Sequence, residues 1–160
     1  DLVTLCQQEV RPMQMAEMRE LHVNLPDEPV MVQADRDRIG QVLANLLSNA
    51  DRYSPIEQPI TLTLRIERET TAVGGAQVRV LIRDEGAGIP EQEQAHVWER
   101  FHRAVGTQPR PGTGVSLGLG LYISREIIER HGGTMGLESA PGKGSTFWFT
   151  LPLAEAEAGA

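Results

Sequence analysis

Three polar side chains in the segment 35–53 could act together on a ligand. Asn45, Asn49 and Arg52 are spaced four and three residues apart, so on an α-helix they share one face. That face lies beside a stripe of apolar residues, and asparagine is a poor helix former. Two asparagines one turn apart indicate either that they coordinate a polar group beside the core or that both are solvated surface residues.

A carboxylate at the end of an alternating segment is a second candidate. Asp84 follows the apolar positions Val78, Val80 and Ile82, and the sequence Glu-Gly-Ala-Gly comes directly after it. The alternation predicts a strand, and the two glycines allow the backbone to turn sharply behind it. Asp84 would then face a cleft; the alternative is a solvated carboxylate in an ordinary turn.

A glycine-rich segment before a helix could bind phosphate. Residues 105–117 are rich in Gly and Pro and lack periodicity, which predicts a loop. Gly118 and Gly120 then open a helical pattern that ends at Gly132 and Gly133. Backbone N–H groups and the helix dipole favour an anion at such an N-terminus, although an ordinary loop before an ordinary helix would show the same pattern.

Two nucleotide-binding motifs can be rejected. The segment 142–146, Gly-Lys-Gly-Ser-Thr, differs from a P-loop because Gly follows the Lys and because a strand, not a helix, comes next. Gly118-Leu119-Gly120 lacks the third glycine of a dinucleotide-binding fingerprint. No pair of the four histidines has metal-ligand spacing.

The elements that would position these residues follow from periodicity and from the turn residues. We predict a first helix within 1–20, kinked or broken at Pro12. The order after it is β-β-α-β-β-α-α-β-β, with a strong helix from Asp35 to Tyr53. The predicted strands are 22–25, 30–33, 60–67, 78–82, 134–139 and 145–151. The later helices are 90–98 and one that Gly118-Leu119-Gly120 open and Gly132-Gly133 end.

The length and composition of the chain fit one domain, 1–153, followed by a disordered tail, 154–160. The net charge of −7 argues against a general nucleic-acid surface. One cysteine excludes a disulfide framework and a Cys-based zinc site, and fits a reducing compartment. No run of 18 apolar residues could span a membrane. Because the chain begins with Asp1, we expect it to be a fragment of a longer protein.

Five segments, taken in order, resemble the N, G1, F, G2 and G3 boxes of the catalytic, ATP-binding domain of bacterial sensor histidine kinases. They occupy residues 45–53, 84–90, 98–103, 118–121 and 142–147. The resemblance covers about 1–152 and places the chain in the GHKL superfamily. It implies the Bergerat fold, a two-layer α/β sandwich. In that fold a mixed, mostly antiparallel sheet carries helices on one face, and a flexible ATP lid would cover about 103–117.

The resemblance implies ATP and Mg²⁺ as ligands. Asn49 would ligate Mg²⁺ through its amide oxygen, supported by Asn45. Arg52 and Arg103 would contact phosphates, Tyr53 would stack near the base or ribose, and Asp84 would accept a hydrogen bond from the adenine 6-amino group. Gly86 and Gly88 would let the base approach. The other implied binding residues are Ile89, Phe101, Gly118, Leu119, Gly120, Leu121 and Thr146.

The implied activity is transfer of the γ-phosphoryl group of ATP to a histidine in a two-component system. No histidine here is followed by an acidic residue on a predicted dimerising helix, so we expect the acceptor outside this chain and no catalytic residue of its own within it. The implied partners are the dimerisation domain, in cis or in trans, and a response regulator receiver domain. We expect neither nucleic acid nor membrane contact, and a cytoplasmic location.

Two alternatives remain. The first is a hydrolysing ATPase of the same superfamily. Those enzymes carry a Glu one turn before the metal-binding Asn, where this chain has Asn45. The second is a degenerate domain that only binds nucleotide or docks partners, against which the five intact boxes argue.

Overall fold

The structure, a computed structural model, describes residues 1–68, 75–104, 108–111 and 118–155. Within these ranges the chain forms four helices and five strands. In chain order they are α1 (Leu2–Ala16), β1 (Leu21–Asn24), α2 (Arg36–Tyr53), β2 (Ile60–Arg68), β3 (Ala76–Asp84), α3 (Glu91–Gln94), α4 (Gly120–Arg130), β4 (Met135–Ser139) and β5 (Ser145–Pro152).

The strands form one mixed sheet in the order β1-β2-β3-β5-β4. Only β1 and β2 pair in parallel, and the other three pairings are antiparallel. The register places Val80 of β3 between Leu64 of β2 and Phe149 of β5. The predicted mixed, mostly antiparallel sheet is confirmed.

The core lies between this sheet and the long helices. Alternate residues of the central strands are buried, such as Leu62, Val80 and Phe147, while their neighbours on the strand are less covered. Side chains alternate between the faces of a strand, so one face is apolar. The predicted apolar stripe of α2 is buried at every position: Ile39, Val42, Leu43, Leu46 and Ala50. The result is the two-layer sandwich that the sequence predicts.

Helix α2 has a defined start and end. The side chain of Asp35 accepts hydrogen bonds from the backbone N–H groups of Asp37 and Arg38 at 3.0 and 3.2 Å, which makes it the N-cap. At the other end Ser54 donates its hydroxyl to the carbonyl of Ala50 at 2.6 Å, and Pro55 follows. The predicted helix from Asp35 to Tyr53 is confirmed.

Helix α4 is anchored to α2 by His131. Its Nε2 accepts a hydrogen bond from the backbone N–H of Asp35 at 3.1 Å, and its Nδ1 lies 2.7 Å from the carbonyl oxygen of Ile127. An acceptor at Nε2 and a donor at Nδ1 define the neutral Nδ1–H tautomer. One imidazole therefore joins the end of α4 to the start of α2.

The predicted strand at 30–33 is wrong. Only Val32 makes a bridge, to Leu153. The backbone of Val30 is used elsewhere, because its N–H donates to the side chain of Asp1 and its carbonyl accepts from the N–H of Leu2. This segment closes the N-terminus of α1 instead of joining the sheet.

Two predicted helices differ from those observed. Helix α1 continues through Pro12 and ends at Ala16, with Glu17 as the C-cap residue at a φ of 49°, so the expected break does not occur. Proline removes one N–H from the helix ladder, and the buried side chains on both sides of Cys6 hold α1 in the core. The helix predicted at 90–98 is reduced to α3, and turns follow it.

Some expectations fall where the structure gives no description. Most of the predicted lid, namely 105–107 and 112–117, lies outside the described residues, as do 156–160 of the predicted tail. Among the described helices, none combines the length and the apolar character needed to cross a bilayer.

Candidate functional site

A cleft lies between the end of α2, the segment after β3 and the start of α4. Its volume is about 860 Å³, including the space that is open to solvent at its mouth. Nine of the residues singled out in the sequence line it: Asn49, Tyr53, Asp84, Gly88, Ile89, Arg103, Gly118, Gly120 and Leu121. These nine come from four of the five sequence segments, and the fifth segment, 142–147, contributes Ser145 and Phe147.

Asp84 lies in the wall of the cleft and is only 5% exposed. Burial raises its pKa from 3.8 to about 6, although backbone N–H groups of Gly86 and Ser145 lower it by hydrogen bonding. The Gly86 bond reaches Oδ1 at 2.8 Å. Asp84 is thus a carboxylate that is ionised at neutral pH, and a ligand that donates a hydrogen bond would stabilise its charge.

Helix α2 contributes another wall. Asn49 and Tyr53, one turn apart, both line the cleft. Asn45, a further turn back, donates its amide to the hydroxyl of Ser124 on α4 at 3.1 Å. Asn45 does not line the cleft and joins the two helices that flank it.

The glycines near Asp84 are required by the packing of the protein itself. A Cβ on Gly86 would lie 2.3 Å from the carbonyl oxygen of Tyr53, and one on Gly88 would lie 2.0 Å from that of Ala140. Gly88 also has a φ of 74°. The sequence-based explanation, that these glycines leave room for a base, is therefore incomplete, since backbone fills the space where the side chains would be.

Among the described residues, the start of α4 has no side-chain cap. Leu119 is the N-cap residue and its side chain makes no capping hydrogen bond, in contrast to Asp35 on α2. Gly120 has to be small here, because a Cβ would lie 2.1 Å from Oδ1 of Asn45. The first-turn N–H groups can bind an anion at the cleft.

Six of the predicted residues do not line the cleft: Asn45, Arg52, Gly86, Phe101, Leu119 and Thr146. Phe101 is 70% exposed, with a φ of 60°. The Nε of Arg52 is buried and has no hydrogen-bond partner among the described residues. Their assignment to binding stays a prediction.

Thr146 illustrates how strand alternation affects the assignment. Its neighbours Ser145 and Phe147 are buried and line the cleft, so Thr146 points to the other face of the sheet. Pairing with the exposed Arg83 and Glu138 agrees with this. Thr146 therefore does not line the cleft, whereas Ser145 and Phe147 do.

Sequence reasoning missed several other lining residues. They are Ala87, Val97, His102, Ala104 and Gln108. Of these, His102 has its Nε2 2.9 Å from a carboxylate oxygen of Glu93. Alternation on β5 could have indicated Ser145 and Phe147, but only the fold brings Val97 and Gln108 to the cleft.

The donor set fits a magnesium–phosphate ligand better than a metal held by protein alone. Among the residues that the structure describes, no group of three or more His, Cys, Asp or Glu could hold a metal ion. Mg²⁺ keeps several waters and takes other ligands from phosphates, so it needs few protein atoms. Asn49 lines the cleft, and its side-chain amide has one oxygen that could be such an atom.

Comparison with known proteins agrees with this arrangement. Residues 34–155 match the family described as histidine kinase-, DNA gyrase B-, and HSP90-like ATPase. The chain is 38% identical over 141 residues to the sensor histidine kinase WalK of Bacillus subtilis (strain 168), and the match covers 86% of this chain and 22% of WalK.

Solved structures have the same fold. The mycobacterial sensor histidine kinase MprB is similar with a TM-score of 0.77 at 26% identity, covering 96% of each chain. Full-length ShkA in complex with AMPPNP gives a TM-score of 0.75 at 27% identity, covering 99% of this chain and 31% of ShkA. The chain spans well under half of WalK and ShkA, and it belongs to the histidine kinase-, DNA gyrase B- and HSP90-like ATPase family, as a relative of sensor histidine kinases.

Proposed function

We propose that the cleft binds Mg-ATP and that this chain donates the γ-phosphoryl group to a histidine outside it. The observation that carries the proposal is the buried, ionisable Asp84 in a cleft that also contains the amide of Asn49. A buried carboxylate facing a cleft is satisfied by a ligand N–H donor. Adenine presents such a donor, its 6-amino group, whereas guanine presents a carbonyl at that position.

The base would lie between Asp84 and the apolar part of the wall. Ile89, Val97 and Phe147 supply apolar surface there, and Tyr53 provides an aromatic ring at the edge. Asp84 is held in place by the N–H groups of Gly86 and Ser145, so it would not need to reorient when the base binds.

The phosphates would lie at the start of α4. The uncapped N–H groups after Leu119 and the guanidinium of Arg103 offer positive charge at the cleft. Asn49 would ligate Mg²⁺ through its amide oxygen. When bound, Mg²⁺ neutralises phosphate charge during phosphoryl transfer. The residues of this chain bind and orient the nucleotide, which is the main contribution a protein makes to this reaction.

The alternative function, ATP hydrolysis, would need a general base that this chain lacks at the expected position. Asn45 replaces the Glu of those enzymes, and its amide already bonds to Ser124. An amide cannot accept a proton from water as a carboxylate can. We infer that the acceptor is a histidine of a dimerisation domain, in cis or in trans, and that a response regulator receives the phosphoryl group from the full-length protein.

A nucleotide titration tests the proposal and separates it from a degenerate docking module. Calorimetry with ATP and GTP, each with and without Mg²⁺, should give tight binding only for Mg-ATP. Asp84→Asn should weaken ATP by roughly 1.5–3 kcal/mol, the range for a hydrogen bond to a charged group, and should change the weak binding of GTP little. Equal affinities of the unmodified chain for ATP and GTP would overturn the assignment of Asp84.

A further inference from the structure

The end of α2 is held by a buried guanidinium from a distant part of the chain. The side chain of Arg19, which follows α1, is 1% exposed. Its Nη1 and Nη2 donate to the carbonyl oxygens of Pro55, Gln58, Asp51 and Ser54 at 2.8–3.2 Å. It also contacts the hydroxyl of Ser54 at 2.8 Å. Carbonyls at a helix C-terminus lack partners within the helix and carry partial negative charge, so a cation there is stabilising.

The carboxylate of Asp51 joins the guanidinium of Arg19 to that of Arg110. Oδ1 of Asp51 accepts from Nε of Arg19 at 3.1 Å, and its Oδ2 accepts from Nη2 of Arg110 at 3.2 Å. The backbone N–H of Arg110 also donates to the carbonyl of Arg52 at 2.6 Å. Among the contacts that the described residues show, two bonds therefore attach Arg110 to the last turn of α2, and one of them depends on Asp51.

The same turn and the same short segment form part of the cleft. Asn49 and Tyr53, on either side of Asp51, line it, and so does Gln108, two residues before Arg110. The guanidinium of Arg19 also lowers the pKa of Asp84, although burial outweighs this effect. Arg19, Asp51 and Arg110 themselves do not line the cleft.

We propose that Arg19, Asp51 and Arg110 are positioning residues for the nucleotide: Arg19 fixes the last turn of α2, and Asp51 transmits that position to residues 108–111. This inference rests on the proposed nucleotide function of the cleft. The charge of Asp51 is the element that links the two arginines, because one carboxylate has two oxygens and each guanidinium occupies one of them.

An isosteric variant can remove the contact between Asp51 and Arg110 while it keeps the contact between Asp51 and Arg19. Asp51→Asn keeps one carbonyl oxygen for Arg19 and replaces the other acceptor by an NH₂ group, which cannot accept from Arg110. Arg110→Gln removes the same contact from the other side. Arg65→Gln is the matched control, since it removes an exposed arginine paired with Glu67 at 3.1 Å on the sheet. Because variants at the buried Arg19 could fail to fold, the test uses Asp51 and Arg110.

The first measurement needs no nucleotide. Hydrogen exchange of the backbone amide at position 110 should become roughly tenfold faster in Asp51→Asn and in Arg110→Gln, and should not change in Arg65→Gln. The second measurement is Mg-ATP affinity. Each of the two variants should lose about tenfold, the factor that corresponds to 1.4 kcal/mol. The double variant should lose no more than either single one, since all three lack the same contact.

The outcomes are distinguishable. Unchanged exchange at Arg110 overturns the linkage through Asp51, even if ATP binds well. Faster exchange with unchanged ATP affinity overturns the positioning role, as do additive losses in the double variant. If the unmodified chain binds no ATP, the proposed function fails first, and the positioning role fails with it.

Discussion

Replacing Asp84 by asparagine should stabilise the nucleotide-free chain at neutral pH. The pKa of Asp84 is raised from 3.8 to about 6, chiefly by burial. At 1.36 kcal/mol per pH unit, ionising this carboxylate in the folded chain costs about 3 kcal/mol. Asparagine keeps an oxygen that can accept from the N–H of Gly86 but carries no charge. We therefore expect a gain of about 1–3 kcal/mol, reduced by whatever the new amide N–H groups lose on burial.

The sign of the pH dependence follows from linkage. Between pH 3.8 and about 6 the folded state binds more protons at Asp84 than the unfolded state does, so the unmodified chain loses stability as pH rises. Above pH 6 both states are ionised there and the cost is constant. Below pH 3.8 both are protonated and the cost is absent. The Asp84→Asn variant should not show this loss of stability as the pH rises.

Urea denaturation at several pH values between 4 and 8 measures the difference in free energy of unfolding between the unmodified chain and Asp84→Asn. The free energies of unfolding of the two proteins should be similar near pH 4 and should diverge up to about pH 6. Asp27→Asn, which changes an exposed aspartate in a turn, serves as the control and should not reproduce the divergence. A constant difference between the unmodified chain and Asp84→Asn across this range would refute the burial argument.

Three further expectations concern the ligand, the predicted lid and the activity. Asn49→Ala should lose Mg-dependent ATP affinity while its melting temperature stays close to that of the unmodified chain, because Asn49 lies off the buried stripe of α2; unchanged Mg-ATP affinity in calorimetry would exclude Asn49 as the metal ligand. Hydrogen exchange of residues 104–117 should slow when a non-hydrolysable ATP analogue binds, and equal protection with and without the analogue would contradict a lid. With labelled ATP the isolated chain should neither phosphorylate itself nor hydrolyse ATP appreciably, and an added dimerisation domain should restore transfer to its histidine; an acid-labile label on the isolated chain would direct attention to His102, which lines the cleft.

The sequence was sufficient for the elements whose signals are local. Helix α2 has an aspartate N-cap, a continuous apolar stripe and a proline after its end, so periodicity and capping agree. The hairpins of β2 with β3 and β4 with β5 follow from the strand segments and the turn residues between them. Segment 30–33 has the same apolar character as a strand, yet its backbone bonds to Asp1 and Leu2, a tertiary contact that no local pattern contains.

The candidate site also combines features that are local in the sequence with features that depend on tertiary packing. Asp84 could be identified because a carboxylate after a strand is a local feature, but its burial and its raised pKa depend on the packing around it. Thr146 was expected at the site, yet its neighbours Ser145 and Phe147 line the cleft, because a shift of one residue on a strand exchanges the two faces of the sheet. Asn45 was expected to support a metal site, which stays a prediction. Its bond to Ser124 on α4 could not be predicted, because the packing of two helices decides which face of α2 remains open.

The two buried charges near the end of α2 have opposite consequences for the molecule. Arg19 donates to carbonyls and to Asp51 and is fully satisfied within the described structure, so its burial holds the domain together. Asp84 accepts backbone N–H groups but still has a raised pKa, so its burial costs stability in the absence of ligand. A ligand that donates to Asp84 would recover part of that cost. The buried charge of Asp84 therefore lowers the free energy of unfolding of the ligand-free domain. A variant that removes this charge should be more stable and should bind ATP less well.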